Sequence, residues 1–378
     1  MGTNWFAYDL ELSSSAGVLT EIIADASSLT YTRSINAVGS ATLQIPYSER
    51  RWNLCKPDSI LDIWRWDGSG IRRRPMQTQW LLRKRTKQLD SSGERTITLE
   101  CVDLMDLLNR RLIAYPDGDS HTTRSGTCEA VVKAIVTDNL ITSAGNHPSG
   151  QSWSNWVSVE ASYARGASVS DSSPWGNVLS TIQDLCQGSY QANGTFIAFD
   201  FEIVATLAYQ FRIYTGQRGV DRSLYGQKPT IISVDGENFS DATYEEDYSS
   251  AYSAVIETGQ GTGQLQTVRT VTDPNLISLG PFACFEAQDS SANSSNTTLL
   301  TCQGQTYLRA NRPQAPFNGT LKQNASFVYG RDFEFGDLVT VQFGKSSFST
   351  ARVDTLSVAV DDKGAETISV TVTGELFA

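Results

Sequence analysis

The sequence predicts a mainly β protein with an α+β insert, in which two related small β-barrels flank a mixed middle domain. Three observations lead to this prediction. Alternating apolar and polar residues run through both ends of the chain, helical spacing is concentrated in the middle, and one hairpin pattern occurs twice. We therefore predict an N-terminal barrel domain at 1–113, an insert domain at 114–230 and a C-terminal barrel domain at 231–378.

The repeated pattern is a β-hairpin. LDSSGERTITLEC near the N-terminus and VDDKGAETISVTV near the C-terminus match at a constant offset of 364 − 93 = 271 positions, which pairs Gly93 with Gly364. In each copy a polar cluster with a glycine able to take a positive φ supplies the turn, and strict alternation follows it. An apolar strand that opens with a turn residue and an aspartate precedes each copy, PDSILDIW in one and GDLVTVQF in the other. We interpret the two ends as related barrels, although alternating hairpins can also resemble one another by chance.

The first domain consists of strands and a closing helix. Residues 28–46, SLTYTRSINAVGSATLQIP, predict two strands around a turn that contains Asn36 and Gly39. Asp103 is typical of an N-cap, and the helix predicted after it has one apolar stripe, formed by Leu104, Leu107, Leu108 and Leu112.

Two helices are predicted in the insert. Thr127 can cap the first, whose apolar positions recur at helical spacing. The second lies in SSPWGNVLSTIQDLCQG, where Ser173 is the predicted cap, Pro174 occupies the first helical position and Gly188 follows the end.

Strand patterns complete the chain. Two strands at 196–201 and 209–214 finish the insert, and β structure resumes near residue 231. The polar tract QDSSANSSNTT at 288–298 cannot supply core residues, so we predict a projecting or disordered loop there.

Composition restricts the class of protein. Hydrophobic residues at 40% and charged residues at 19% are ordinary for a globular protein, and a net charge of −11 argues against general affinity for nucleic acids or anionic membranes. The first residues lack the basic segment and apolar run of a signal peptide, and no later run approaches the roughly 20 residues of a membrane helix. We therefore expect no stable membrane insertion. The six cysteines are not a disulfide framework, although Cys284 and Cys302 flank a polar loop and could bridge its base.

Patterns typical of catalysis, metal binding or cofactor binding are missing from the sequence. The two histidines, His121 and His147, have no cysteines or carboxylates at ligand spacing. TGQGTGQ at 258–264 precedes a strand pattern instead of the helix that a dinucleotide site requires, so we interpret it as a turn. We expect a non-enzymatic protein with no cofactor and no metal.

Three features leave other functions open. The basic stretch at 65–87 can contact DNA phosphates, but we favour the outer face of a strand beside a subunit contact. Trp153 and Trp156 suit either a sugar-stacking platform or an ordinary anchored loop. A carbohydrate-binding or wall-degrading protein needs only two suitably placed carboxylates, and a host-receptor adhesin could use the loop at 288–298.

Four stretches resemble one family. TRSINAVGSATLQIP, DLMDLLNRRLI, TGQGTGQ and YGRDFEFGDLVTV occur in the order and spacing of the baseplate-hub, or tail-associated minor tail, proteins of siphophages. The resemblance implies two similar barrels per subunit and a homotrimer that presents six barrels in a ring, so that a three-fold tip fits the six-fold rings of the tail above it.

The resemblance also implies partners, a location and candidate residues. It places the protein at the distal tail tip of the virion after assembly in the host cytoplasm, between the distal tail or tail tube protein and the tip or receptor-binding proteins, around a channel for the tape-measure protein and for DNA in passage. Because the chain ends at Ala378, soon after its last strand, we expect any lytic or receptor-binding domain on another chain. The motifs make six residues candidates for structural or interface roles: Gly330, Asp332, Gly336, Asp337, Gly93 and Gly364.

Overall fold

The computed structural model describes residues 7–375 except 67–69, 90, 92, 116–122, 143–148, 172–174, 227, 250, 291–294, 324–326 and 343–347. Strands dominate both ends of the chain, and helices and strands alternate in the middle. The mainly β class is therefore confirmed. His121, His147, Ser173 and Pro174 lie outside the described residues.

The N-terminal third contains eight strands and two short helices. The strands are β1 (Ala7–Ser13), β2 (Leu19–Ile23), β3 (Ser28–Ser34), β4 (Ser40–Pro46), β5 (Ile60–Trp66), β6 (Arg72–Arg73), β7 (Trp80–Leu89) and β8 (Arg95–Asp103). The helices are α1 (Glu49–Leu54) and α2 (Asp106–Asn109). Asn36 has a φ of 59° in the turn between β3 and β4, as the predicted turn requires.

Helix α2 differs from its prediction. It is four residues long, Met105 takes the cap position, and Asp103 is the buried last residue of β8. Leu112, predicted to share the apolar stripe, is 50% exposed. The strand continues through Asp103 because its side chain is held in an ion cluster described below.

The middle third pairs helices with short sheets. Its strands are β9 (Arg124–Thr127), β10 (Val157–Val159), β11 (Ser168–Asp171), β12 (Ile197–Ala205), β13 (Ala208–Thr215) and β14 (Asp221–Arg222). Its helices are α3 (Cys128–Val136), which continues as a π-helical turn over Thr137–Ile141, and α4 (Val178–Asn193). Thr127 holds the N-cap position of α3, as predicted, but its side chain makes no capping hydrogen bond to the described residues.

Helix α4 begins and ends later than predicted. Asn177 is the N-cap and accepts a hydrogen bond from Ser180 N at 3.2 Å, while Trp175 has a φ of 64°, which no helical residue adopts. Gly188 lies inside the helix, and Gly194, with a φ of 73°, ends it. The asparagine therefore overrides the upstream Ser-Pro signal.

The C-terminal third contains nine strands and two helices. The strands are β15 (Ile231–Ser233), β16 (Phe239–Tyr244), β17 (Ala254–Thr258), β18 (Val268–Thr272), β19 (Glu286–Asp289), β20 (Gln314–Leu321), β21 (Leu338–Gln342), β22 (Phe348–Val360) and β23 (Glu366–Glu375). The helices are α5 (Pro274–Ile277) and α6 (Thr297–Ala310). The tract at 288–298 begins in β19 and ends in α6, so the prediction of one projecting loop is wrong outside 291–294, which the structure does not describe. The turn predicted at 258–264 does join two antiparallel strands, β17 and β18.

One sheet of 15 strands joins the two ends of the chain. Its main path runs β16-β20-β23-β22-β3-β4-β8-β7-β5-β1-β2, with β6 beside β5 and with β14 and β15 parallel to β21. Within the described residues no pairing connects the two ends of this path, so neither predicted barrel is closed. The reason is that β22 pairs with β3 from the other end of the chain instead of pairing only with strands of its own region.

The same sheet encloses one hydrophobic core made by both ends of the chain, including Tyr31, Trp80, Leu99, Phe335 and Val370. A second core lies between α3, α4 and the sheet formed by β10, β12 and β13, and a small third core lies beside β17 and β18. None of the helices in the described parts of the chain is long and apolar enough to cross a membrane.

Candidate assembly surface

The two hairpins of the repeated pattern have the same register. In the β7–β8 hairpin Leu89 pairs with Arg95, and in the β22–β23 hairpin Val360 pairs with Glu366. Both positions differ by the offset found in the sequence, because 360 − 89 = 271 and 366 − 95 = 271. Gly93 and Gly364 turn the two hairpins with φ values of 87° and 76°. The sequence repetition therefore corresponds to one structure built twice.

A β-bulge repeats at the same offset. The register of the first hairpin shifts between Leu82 and Lys84, and that of the second shifts between Val353 and Thr355. Both bulges fall 271 positions apart, since 353 − 82 = 271 and 355 − 84 = 271. A bulge twists and bends its strand locally, so the two hairpins share this distortion.

The strands around each hairpin also follow one order. The N-terminal repeat is β3-β4-β8-β7-β5, and the C-terminal repeat is β16-β20-β23-β22-β21. In both repeats the long hairpin strand begins against an earlier strand, β5 or β21, and then continues past the first residue of that strand.

The two repeats meet at what we call the internal joint, the antiparallel pairing of β22 with β3. This pairing runs from Thr355 opposite Ser34 to Val360 opposite Leu29. Strand β22 therefore exchanges partners along its length, with β21 over Phe348–Arg352 and β3 from Thr355 onward. The joint makes the two repeats one continuous sheet.

Residues 329–337, the β21 loop, lead the chain into the C-terminal repeat. Asp337 is 1% exposed, and its carboxylate accepts hydrogen bonds from Val220 N at 2.7 Å and Glu334 N at 2.9 Å and an ion pair from Arg222 at 2.8 Å. Burial raises the pKa of Asp337, although these donors oppose the shift. Asp337, the residue before β21, thus ties the β21 loop to the end of the insert.

The other candidates of the β21 loop shape its backbone. Gly336 has a φ of 84°, and a Cβ there would lie 2.8 Å from the Cβ of Arg218. Gly330 has a φ of 81° and donates its N–H to Phe333 O at 2.9 Å. Asp332 accepts a hydrogen bond from Val328 N at 2.7 Å. The structure brings these four candidates together in one loop, while Gly93 and Gly364 stand at separate hairpin tips.

A buried ion cluster that the sequence analysis missed links three parts of the chain. Arg33 of β3 is 2% exposed and forms ion pairs of 2.7 Å with Asp103 of β8 and with Asp200 of β12. Arg218 also pairs with Asp200, and both guanidinium groups lie over the ring of Phe335 at 5.0 and 5.4 Å. The cluster fastens the insert and the β21 loop to the N-terminal repeat.

Electrostatics within the cluster are asymmetric. Burial raises the pKa of Asp103, and the charge of Arg33 only partly offsets the shift. Burial also opposes ionisation of Asp200, but the charges of Arg33 and Arg218 lower its pKa below the ordinary value. The signal available in the sequence was position: Arg33 follows Leu29 and Tyr31 at the alternate positions of β3 that face the core.

The basic stretch is mostly paired within the subunit. Arg65 is 4% exposed and forms an ion pair of 2.6 Å with Glu366 of the C-terminal repeat. Arg72 and Arg74 stack on Trp64 at 4.3 and 4.1 Å. Arg73 is exposed, and in the outer half of β7 Arg83, Lys84 and Lys87 are exposed while Arg85 is half-buried.

Trp153 and Trp156, one of the features that left other functions open, line the same pocket beside Tyr209. Trp153 lies against the Arg111 guanidinium at 4.3 Å, and Trp156 is 45% exposed. Among the described residues no group of three or more histidine, cysteine or acidic side chains is arranged to hold a metal ion. Cys284 is an exposed free thiol, and the side chain of Cys302 lies outside the described part of the chain.

Comparisons with known proteins point to phage tails. A family model described as Siphovirus ReqiPepy6 Gp37-like protein matches residues 10–372. The tail protein from Neisseria meningitidis MC58 superposes with a TM-score of 0.59 at 11% identity, over 97% of each chain. The 43 kDa tail protein of prophage MuSo2 from Shewanella oneidensis gives a TM-score of 0.59 at 13% identity, again over 97% of each chain.

A third solved structure agrees. Prophage tail protein gp18 from Listeria monocytogenes EGD-e has a TM-score of 0.55 at 12% identity, over 98% of this chain and 95% of that one. At these identities the similarity establishes a shared fold. A search of curated proteins finds no match.

Proposed function

The chain belongs to the Siphovirus ReqiPepy6 Gp37-like protein family, and on that premise we propose that this phage tail protein is the trimeric hub of the tail tip. Each subunit would contribute its two repeats, so three subunits place six similar repeats around a channel. The observation that carries the proposal is the repetition itself, with turn, bulge and register conserved at one offset between β7–β8 and β22–β23.

The internal joint supports a ring. It joins the repeats side by side through strand edges, so the C-terminal repeat lies against the β3 edge of the N-terminal repeat. A head-to-tail contact of this kind generates a ring if the rotation between units closes. Six similar units would allow a three-fold tip to contact every subunit of a six-fold tail ring.

The role we propose is structural. The ring would join the tail tube or distal tail protein above to tip or receptor-binding proteins below, and the tape-measure protein and DNA would pass through it during genome ejection. The candidate residues Gly336 and Asp337 hold backbone in place. We propose that the protein has no enzymatic activity. Incubation of the purified chain with host cell-wall polysaccharide tests this, and release of soluble sugar would contradict it.

Light scattering of the purified chain over a range of concentrations tests the oligomer. A trimer has a mass of 3 × 41.4 = 124.2 kDa. We expect this mass and, in electron micrographs of the same sample, a ring with six similar densities. A chain that stays monomeric at every concentration, both alone and mixed with the tail tube or distal tail protein, would contradict the proposal.

A further inference from the structure

Each repeat leaves one strand edge open. Strand β7 pairs with β8 on one side and with β5 only at Trp80 and Leu81, so residues 83–89 have no strand beside them on the second side within the described chain. Strand β16 pairs with β20 alone and stands at one end of the sheet path. In the internal joint the equivalent strands, β22 and β3, pair with each other. Among the residues that the structure describes, the open edges of β7 and β16 are thus the same two edges with no strand beside them.

The repeat determines which residues of these edges correspond to the internal joint. One residue of β4 pairs with both Tyr31 of β3 and Cys101 of β8. In the same way, one residue of β20 pairs with both Tyr244 of β16 and Val372 of β23. Because 372 − 101 = 271, Tyr31 and Tyr244 occupy equivalent places.

The register of a joint between subunits follows from this equivalence. In the internal joint Val358 lies opposite Tyr31, and 358 − 271 = 87, so Lys87 lies opposite Tyr244 of the next subunit. The neighbouring pairs then follow in antiparallel order: Gln88 with Thr243, Thr86 with Glu245, Arg85 with Glu246, and Lys84 with Asp247.

Charge distinguishes this joint from the internal one. The β7 edge carries Arg83, Lys84, Arg85 and Lys87, whereas β16 and the three residues after it carry Asp241, Glu245, Glu246 and Asp247. The register places two basic residues directly opposite two acidic ones, although the Arg85 guanidinium also lies over Trp52 at 4.0 Å and donates to Cys55 O at 2.6 Å within its own subunit. The acidic residues are exposed, and the Lys84 side chain is 66% exposed even though it contacts Glu100 at 2.6 Å.

We propose that residues 83–89 of β7 pair with β16 and the following residues, up to Asp247, of the next subunit, as a second antiparallel joint equivalent to the internal one. This inference rests on the proposed ring and identifies its subunit contact as a second copy of this chain. Backbone hydrogen bonds would supply the contact, as in other cases of strand addition at a sheet edge. Opposite charge would select the partner, because two β7 edges, or two β16 edges, would place like charges face to face.

Disulfide trapping with the full chain tests the register. In a Cys284→Ser background, one double variant carries Gln88→Cys with Thr243→Cys, and another carries Lys87→Cys with Tyr244→Cys. Opposed pairs in an antiparallel ladder alternate between wide and close spacing, so one of these two adjacent pairs has the close spacing of about 4.5 Å between Cα atoms that a disulfide accepts. A control with Gln88→Cys and Glu245→Cys is displaced by two residues. Each single-cysteine variant is a second control.

We expect oxidation to link subunits in at least one of the two matched double variants, up to a covalent trimer on a non-reducing gel, and not in the displaced or single variants. A particle with the mass of a trimer but no cross-link in either matched variant would overturn the joint and leave the hub proposal intact. Cross-linked subunits whose mass never reaches three chains would support the joint and contradict the ring. A monomer without cross-links would overturn both.

Charge exchange provides a test that needs no cysteine. Lys84→Glu and Asp247→Lys each place like charges together, so each is expected to raise the concentration for half-assembly by roughly three- to tenfold at low salt. The combined variant restores opposite charges in reversed order and is expected to assemble within about twofold of the unchanged chain. Equal assembly of all four proteins would overturn the proposed register.

Discussion

The substitution Gly336→Ala tests the proposed role of the β21 loop. Gly336 has a φ of 84°, and a left-handed conformation costs an alanine about 1–2 kcal/mol. The new Cβ would also lie 2.8 Å from the Cβ of Arg218 and 3.3 Å from Gly219 N, an overlap that costs about 1–3 kcal/mol to relieve. The backbone is not free to move away, because Gly336 N donates to Val353 O at 3.1 Å and Gly336 O accepts from Gly219 N at 2.9 Å. The expected loss is therefore about 2–5 kcal/mol of unfolding free energy.

Gly93→Ala is the matched control. Gly93 has a φ of 87°, but no atom lies within 4 Å of the position that its Cβ would take. It should lose only the conformational part, about 1–2 kcal/mol. The change in the unfolded chain is the same in both variants, since each replaces a glycine by alanine. Urea unfolding at one protein concentration measures the difference, and equal losses within about 0.5 kcal/mol would refute the steric argument.

Three further predictions concern buried charge. Arg33→Met leaves Asp103 and Asp200 buried with one cation fewer, so it should cost about 3–5 kcal/mol in urea unfolding, and a loss below about 1 kcal/mol would contradict it. Asp337→Asn directs an amide NH₂ at a backbone N–H donor and should lower the free energy of urea unfolding by about 1–3 kcal/mol. Asp332→Asn, on a more exposed side chain, should lower it by less. Burial raises the pKa of Glu257 to about 7 in the folded chain, so the folded state binds this proton more tightly than the unfolded chain does. The free energy of unfolding should therefore fall by at most about 3 kcal/mol as the pH rises from about 4.5 through 7. Glu257→Gln should remove most of that loss, so the difference in Tm between pH 5 and pH 8 should become smaller. If this difference in Tm is the same in the variant, Glu257 is not the source of the pH dependence.

The resemblance to a siphophage tail family is confirmed by the family match, and the motifs that carried it are mostly local. The β7–β8 and β22–β23 hairpins were predictable because turn residues and period-two alternation act over a few neighbouring residues. The start of α4 was not predicted correctly, since two capping signals lie within a few residues and only the backbone at Trp175 shows which one operates.

Long-range contacts could not be predicted, because turn residues and alternation act only over neighbouring residues. Nothing near Arg33 in the sequence indicates Asp200, which lies in another part of the fold and neutralises it. The open edges at 83–89 and at β16 are likewise defined by what pairs elsewhere. The sequence shows that residues 83–89 are basic, but their relation to an acidic edge requires the strand order.

By itself the sequence determined the β class, the repeated hairpin with its offset of 271 and the family, because each depends on local periodicity, turn chemistry or motif order. Only the tertiary structure decided that the two repeats share one open sheet instead of closing as two barrels. The physical reason is that a strand edge offers the same backbone donors and acceptors to any neighbour. Which edge it meets depends on the packing of side chains such as Tyr31 and Val358, which are distant in sequence and adjacent in the fold.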